Sequence, residues 1–219
     1  MFIKKRAFFS LVPPALLVIL FWIVQVLQWG MEWDFSEGGI FPRSLQGAWG
    51  IITSAFIHGG FKHLFANSSA FLLLGWLLYY FYKEIANGVL LFLWLGSGLL
   101  TWIIGRPAWH IGASGVIYAL AFFLFFSGVF RKNSRLAAIA LIVVFLYGSM
   151  LWNMFPIAEI VDPKVSWEGH LSGAITGLVA AVLFRKKGPQ PDPLPADDEE
   201  EDSETDEEPY WKKPSDDNP

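Results

Sequence analysis

The chain has no cysteine. That excludes disulfides, thiolate nucleophiles and cysteine-based metal sites, and it leaves redox usage silent about compartment. Charge is scarce too. Only 16% of the 219 residues are Asp, Glu, Lys or Arg, against 54% hydrophobic, and the mean hydropathy is +0.43. Residues 7–31, 64–82, 85–105, 107–130, 136–158 and 169–184 carry no charge at all. A helix that crosses a bilayer needs about 20 apolar residues, with a range of roughly 17–25. Five of the six runs reach that length, and the sixth falls just short, with Glu168 and His170 near its mouth. The expected fold is therefore all-α: a polytopic membrane protein with six spanning helices at about 7–28, 63–82, 86–105, 112–130, 136–156 and 169–185. The bilayer itself is the first expected partner.

A further uncharged run, 44–61 (SLQGAWGIITSAFIHGGF), contains four glycines and polar residues throughout. It suits a short interfacial or partly re-entrant segment, which lies at membrane depth only when buried against protein. The net charge of −4 hides a split. Residues 1–188 carry 14 Lys+Arg and 7 Asp+Glu, giving +7, and residues 189–219 carry 2 and 13, giving −11. The tail is rich in proline and acid and poor in apolar residues, so it is expected to be disordered. The expected division is a membrane domain over 1–187 and an acidic cytoplasmic tail over 188–219.

"KKR" at 4–6 precedes an apolar run that is long, contains Pro13-Pro14 and lacks a small-residue cleavage site. It reads as a signal anchor and first helix rather than a cleaved signal peptide. With the N-terminus inside, ten cations fall inside: Lys4, Lys5, Arg6, Lys83, Arg131, Lys132, Arg135, Arg185, Lys186 and Lys187. Arg43, Lys62, Arg106 and Lys164 fall outside. Ten against four obeys the positive-inside rule. Both termini are then cytoplasmic, and the 32–62 loop lies outside with the starts of the fourth and sixth helices. Trp29, Trp33, Trp49, Trp102, Trp109, Trp152 and Trp167 fall near the outer interface, as an aromatic belt does.

Polar groups inside spans are costly and point to function. His63 and Asn67 open the second helix four residues apart, so they share a face. Ser114 and Tyr118 do the same in the fourth helix. His170 opens the sixth. All three helices run inward, so all three sets share one depth. Gly169, Gly173 and Gly177 repeat every four residues, a small-xxx-small face that lets two helix backbones approach closely. The fourth helix, with Gly112, Ala113 and Gly115, is the natural partner, and that contact brings His170 to Ser114. His110, although close to Ser114 in sequence, is expected to be an interfacial loop residue. Asn67-Ser68-Ser69 matches a glycosylation sequon, but the helix makes it unreachable.

A serine becomes a strong nucleophile when a neutral imidazole takes its proton. No Asp or Glu lies at the right depth to orient His170, and Glu168 faces elsewhere on its helix. The expected set is a Ser–His dyad rather than a triad, with Tyr118 stacked on the ring. His63, Asn67 and the backbone N–H of Ser114 supply donors for developing negative charge. Gly112 and Gly115 keep the approach open. No metal, cofactor or nucleic acid enters this chemistry.

Six helices with "HGGFKHLFAN", "GASGVIYAL" and "GHLSGAITGL" in order resemble the rhomboid family of intramembrane serine proteases, in its bacterial, six-helix form. The resemblance spans about residues 1–187. It implies Ser114 as nucleophile, His170 as general base, Tyr118 packed on that histidine, His63 and Asn67 as oxyanion partners, and His58 as a structural histidine of the first external loop. It also implies a bacterial inner-membrane location and single-pass membrane substrates cut near the outer membrane face. Substrate entry would lie between the second and fifth helices, with Phe71 and Trp76 on one side and Phe145, Trp152 and Phe155 on the other. Many family members carry Trp-Arg in the first external loop, where this chain reads Trp49-Gly50. A catalytically inactive relative that binds membrane clients is the alternative. A transporter would need internal repeats and a polar path through the bundle, and the sequence has neither.

Overall fold

The computed structural model describes residues 2–155 and 165–190. The described chain is helical, with a single isolated bridge between Ile40 and His110. Its elements are α1 (Phe2–Gly30), α2 (Leu45–Ala48), α3 (Gly50–Thr53), α4 (Phe61–Phe81), α5 (Ala86–Ile104), α6 (Ser114–Phe130), α7 (Ser134–Tyr147) and α8 (Trp167–Leu183). The six long helices follow the six uncharged runs, so the all-α membrane bundle read from the sequence is the observed fold. Lys5–Gly30, Phe61–Phe81 and Ala86–Ile104 are long and apolar enough to cross a bilayer by themselves. α6 and α7 are shorter, and α7 continues as a 3-10 helix over Gly148–Met154 instead of running on as α-helix to 156. The acidic tail beyond residue 190 lies outside the described residues.

α6 is the central helix, packed against α4, α5, α7 and α8. Its Ile117, Leu120, Phe123 and Leu124 are fully buried, with Leu64, Phe71 and Leu93 from the neighbouring helices. The outer faces are the reverse of a water-soluble protein. Phe9, Leu16, Ile19, Leu141 and Phe145 are exposed on α1 and α7, an apolar surface too extensive for water and suited to lipid. α1 is held to α4 by tryptophans: Trp22 Nε1 donates to Ser68 Oγ (3.0 Å) and Trp76 Nε1 to the Ala7 carbonyl (3.0 Å).

The glycine face of α8 meets α6 as the sequence pattern predicts. A Cβ at Gly173 would overlap the Gly115 carbonyl oxygen, and one at Gly177 would overlap the Ala119 carbonyl oxygen. The two backbones are thus in direct contact. At the other end of this pair the buried Arg131 ties the chain beyond α8 to α6. Its guanidinium donates to the carbonyls of Pro189 (2.6 Å) and Phe184 (2.5 Å), and its Nε donates to Ser127 Oγ (2.8 Å).

The uncharged run at 44–61 forms α2, α3 and a 3-10 turn over Ser54–Phe56, and α3 packs on α5. Arg43 anchors this segment. Its Nη1 donates to the carbonyls of Ile103 (3.0 Å) and Gly105 (2.9 Å), and its N–H to Trp102 (3.0 Å). These bonds satisfy carbonyls that the end of α5 leaves open. At Trp49-Gly50 the tryptophan is exposed, and the glycine lets the chain lie directly on the Gly39 main chain. The loop is therefore held by Arg43 and by backbone contact, without the Trp-Arg pair.

Candidate functional site

Gly112 organises one wall of the site. Its φ of +103° is a conformation that side chains resist. A Cβ there would also lie 2.7 Å from His63 Cε1 and 3.3 Å from Asn67 Nδ2. The backbone entering α6 thus runs against the first turns of α4. Asn67 Nδ2 is buried and has no hydrogen-bond partner. A buried donor without a partner costs about 1–3 kcal/mol, so it stands ready for an acceptor. Ser114 is the first residue of α6, where backbone N–H groups have no partner inside the helix.

On the other side, α8 carries His170. Its ring stacks on Tyr118, with centroids 4.2 Å apart and planes 10° from parallel. His170 Nδ1 lies 2.9 Å from the Asn153 carbonyl oxygen. A carbonyl only accepts, so Nδ1 carries the proton and Nε2 is left as the acceptor. The Asn153 side chain is hydrogen-bonded to the Tyr118 hydroxyl. Asn153 thus touches both the imidazole and the ring stacked on it. None of the described hydrogen bonds joins Ser114 to His170. The two residues stand on helices whose backbones meet at Gly115 and Gly169, where a Cβ on Gly115 would be 3.3 Å from the Gly169 oxygen.

Behind Ser114 is a cavity of about 30 Å³, lined by Ser97, Thr101, His110, Ser114, Ser166 and Gly169 among others. Its walls mix these polar groups with apolar side chains such as Ile51, Trp94 and Val116, and its size admits a water.

His110 lies in the loop before α6, as expected, but it is not a surface residue. It is buried, and its ring joins two segments: Nδ1 lies 2.6 Å from Ser166 Oγ and Nε2 lies 3.0 Å from the Arg106 carbonyl. The carbonyl fixes the proton on Nε2, so Ser166 donates to Nδ1. Ser166 in turn accepts the Gly169 N–H (3.1 Å) as the N-cap of α8. The main chains of His110 and Ile40 exchange two further bonds, of 2.8 and 2.9 Å. Burial pushes the His110 imidazole below its usual value, so it stays neutral near pH 7. Glu168, also buried, pairs with Arg106 (3.5 Å) and accepts its N–H (3.3 Å). His110, Ser166, Arg106 and Glu168 together set the depth at which His170 enters the bundle.

His58 is fully buried in the external loop, with its ring edge-on to His63 at 5.0 Å. Burial, reinforced by His63, pushes its imidazole down to about 4, so it is a neutral packing element at pH 7. Two of the expected entry residues are elsewhere. Phe71 is buried in the core against Phe21 (5.3 Å), and Trp76 is turned to α1. Beyond Ser69, α4 is apolar on every side, so its composition there does not reveal which face meets α1. Phe145, Trp152 and Phe155 do lie exposed on the opposite element. No group of His, Asp or Glu among the described residues is arranged to hold a metal.

The Rhomboid domain family model matches residues 45–187, the segment that carries His58, His63, Asn67, Ser114, Tyr118 and His170. An uncharacterised protein of Mycobacterium tuberculosis is 35% identical over 173 residues, covering 76% of this chain and 72% of that protein. One from Mycobacterium leprae is 32% identical over 171 residues, covering 75% and 67%. Rhomboid-related protein 1 of Caenorhabditis elegans is 28% identical over 200 residues, covering 78% of this chain and 55% of that protein. With a family match over well over half its length, the chain belongs to the rhomboid family, membrane proteins whose general activity is intramembrane serine proteolysis.

Proposed function

We propose that this protein is an intramembrane serine endopeptidase that cuts single-pass membrane proteins near the outer end of their transmembrane segment. The observation that carries this reading is the state of His170: stacked on Tyr118, with its proton kept on Nδ1 by donation to the Asn153 carbonyl, and left with Nε2 as the acceptor on the helix packed against Ser114. In the proposed reaction Nε2 takes the Ser114 proton as the oxygen attacks the scissile carbonyl. The oxyanion accepts hydrogen bonds from the Ser114 N–H, Asn67 Nδ2 and His63. Collapse breaks the C–N bond, and His170 returns the proton to the leaving amine. Water, deprotonated by the same nitrogen, then releases the acyl group from Ser114. The Ser–His separation belongs to the resting state, since such bonds often tighten only when substrate binds.

The domain division follows from the same reading: residues 1–187 form the protease, and 188–219 a cytoplasmic tail. The charge count supports an orientation in the bacterial inner membrane with both termini inside and Ser114 toward the outer face. A fluorophosphonate probe tests the enzyme reading. The detergent-purified protein is expected to label on Ser114, and Ser114→Ala to remove the label. An unlabelled wild type that unfolds cooperatively would favour the inactive, client-binding alternative.

Asn153 is the positioning residue that composition and spacing do not reveal. Asn153→Ala is expected to lower kcat by about tenfold with KM unchanged, because it frees the ring that braces the base without touching substrate. Tyr118→Phe removes the same bond from the other end. The double variant is therefore expected to be no slower than either single one, a coupling that separates shared positioning from general loosening of the fold.

A further inference from the structure

The far end of the bundle holds a second cavity, of about 860 Å³, where the start of α1, the α4–α5 turn and the chain beyond α8 meet. α4 carries Asn67 near one end and Tyr79 near the other, about 18 Å apart along the axis at 1.5 Å per residue. This cavity is therefore remote from Ser114. Its walls include two cations, Arg6 and Lys83, one carboxylate, Glu84, the Asn87 amide, and the rings of Phe9 and Phe81.

These groups are arranged rather than merely present. Arg6 Nη2 donates to the Tyr80 carbonyl at 2.7 Å, and the guanidinium lies over the Tyr80 ring, 4.9 Å from its centre. That fixes its plane and leaves other N–H groups free. The Tyr79 hydroxyl donates to Asn87 Oδ1 at 2.7 Å, tying α4 to α5 and leaving the Asn87 NH₂ as a donor. The one ion pair among the described residues is Arg106–Glu168, so Lys83 has no anionic partner there. Two cations and one carboxylate leave a net charge of +1.

We infer that this cavity binds the phosphodiester headgroup of an anionic membrane lipid, with the phosphate between Arg6 and Lys83. The cavity lies at the ends of spanning helices, which is headgroup depth. The rings of Phe8 and Phe9, 65% and 67% exposed, continue its wall onto the lipid-facing side of α1, giving the acyl chains a path. The charge count also puts this end on the side where anionic lipids concentrate, and basic pockets between membrane helices on that side bind such headgroups. A net +1 matches a singly charged phosphodiester. Inorganic phosphate, more highly charged at pH 7, has to face Glu84. The tail that follows Gly188 and Pro189 carries −11, far more negative charge than a net +1 neutralises.

Native mass spectrometry of the full-length protein in detergent, with equal phosphatidylglycerol and phosphatidylcholine, tests this. The wild type is expected to retain phosphatidylglycerol at least about tenfold over phosphatidylcholine, and Lys83→Gln to lose about fivefold of that preference. Arg6→Gln also breaks a bond to Tyr80, so Lys83, which has no ion-pair partner among the described residues, carries the decision. Equal retention of the two lipids by the wild type, or an undiminished preference in Lys83→Gln, overturns the inference. So does displacement of the lipid by excess inorganic phosphate, which marks a site for free anions. Displacement by a synthetic peptide of residues 189–219 overturns it as well, since the tail is then the occupant.

Discussion

Ser114→Ala and His170→Ala are each expected to abolish cleavage of a co-expressed type I membrane substrate while the protein still inserts and accumulates. The attack on the carbonyl and the transfer of the serine proton are one event, so losing either partner removes the same step. In subtilisin, removing either the serine or the histidine costs about 10⁶ in kcat. Neither substitution should disturb the fold. Ser114 sits beside a small cavity, and the ring of His170 is held by a stack and one hydrogen bond rather than by the glycine contacts that join α8 to α6. Asn67→Ala supplies the graded control. It removes one donor and leaves the dyad whole, so a loss of about 10²–10³ is expected. Residual cleavage by Ser114→Ala or His170→Ala at the level of Asn67→Ala would sink the dyad. The readout is the ratio of cut to uncut substrate at equal enzyme level, measured by immunoblot of the membrane fraction.

The parts of this molecule that sequence reveals are those with a spacing rule behind them. A bilayer demands long uncharged runs, so the six helices are visible as the gaps between charges. Close helix contact demands small residues every fourth position, so Gly173 and Gly177 identify α8's interface, and α6 supplies the carbonyls that fill it. Ser114 and Tyr118 share a face because they are four apart, and the ring stacked on His170 follows from that. What stays hidden is made by main-chain atoms and loops. The Asn153 carbonyl reaches His170 from a 3-10 stretch inside a run that reads as continuous helix. His110 bonds to Ser166, 56 positions on, through a bridge with no periodicity. Arg43 caps α5 from a residue with φ of 57°, a conformation no pattern announces for arginine.

Gly173→Ala tests whether the α6–α8 contact sets catalytic geometry as well as stability. The added methyl would overlap the Gly115 carbonyl oxygen and lie 3.0 Å from Tyr118 Cβ. A backbone carbonyl in a helix cannot swing aside as a side-chain tip can, so the two helices must part by roughly 1 Å to restore contact distance, a displacement able to cost 10²-fold in rate. Gly115 is the residue after Ser114, and Tyr118 bears the ring that stacks on His170, so the strain enters the two halves of the dyad directly. Overpacking of this kind also costs about 1–3 kcal/mol of stability, which detergent-based thermal unfolding detects. Gly88→Ala is the matched control: an added methyl on α5 meets nothing within 4 Å, and helix propensity then favours alanine by about 1 kcal/mol. The expected pattern is a Gly173→Ala enzyme slowed by about 100-fold and melting lower, beside a Gly88→Ala enzyme of wild-type rate that melts no lower than wild type. A Gly173→Ala enzyme that melts lower yet cleaves at full rate would mean that the contact supports the fold alone, and that His170 reaches Ser114 by a movement the resting helices do not dictate.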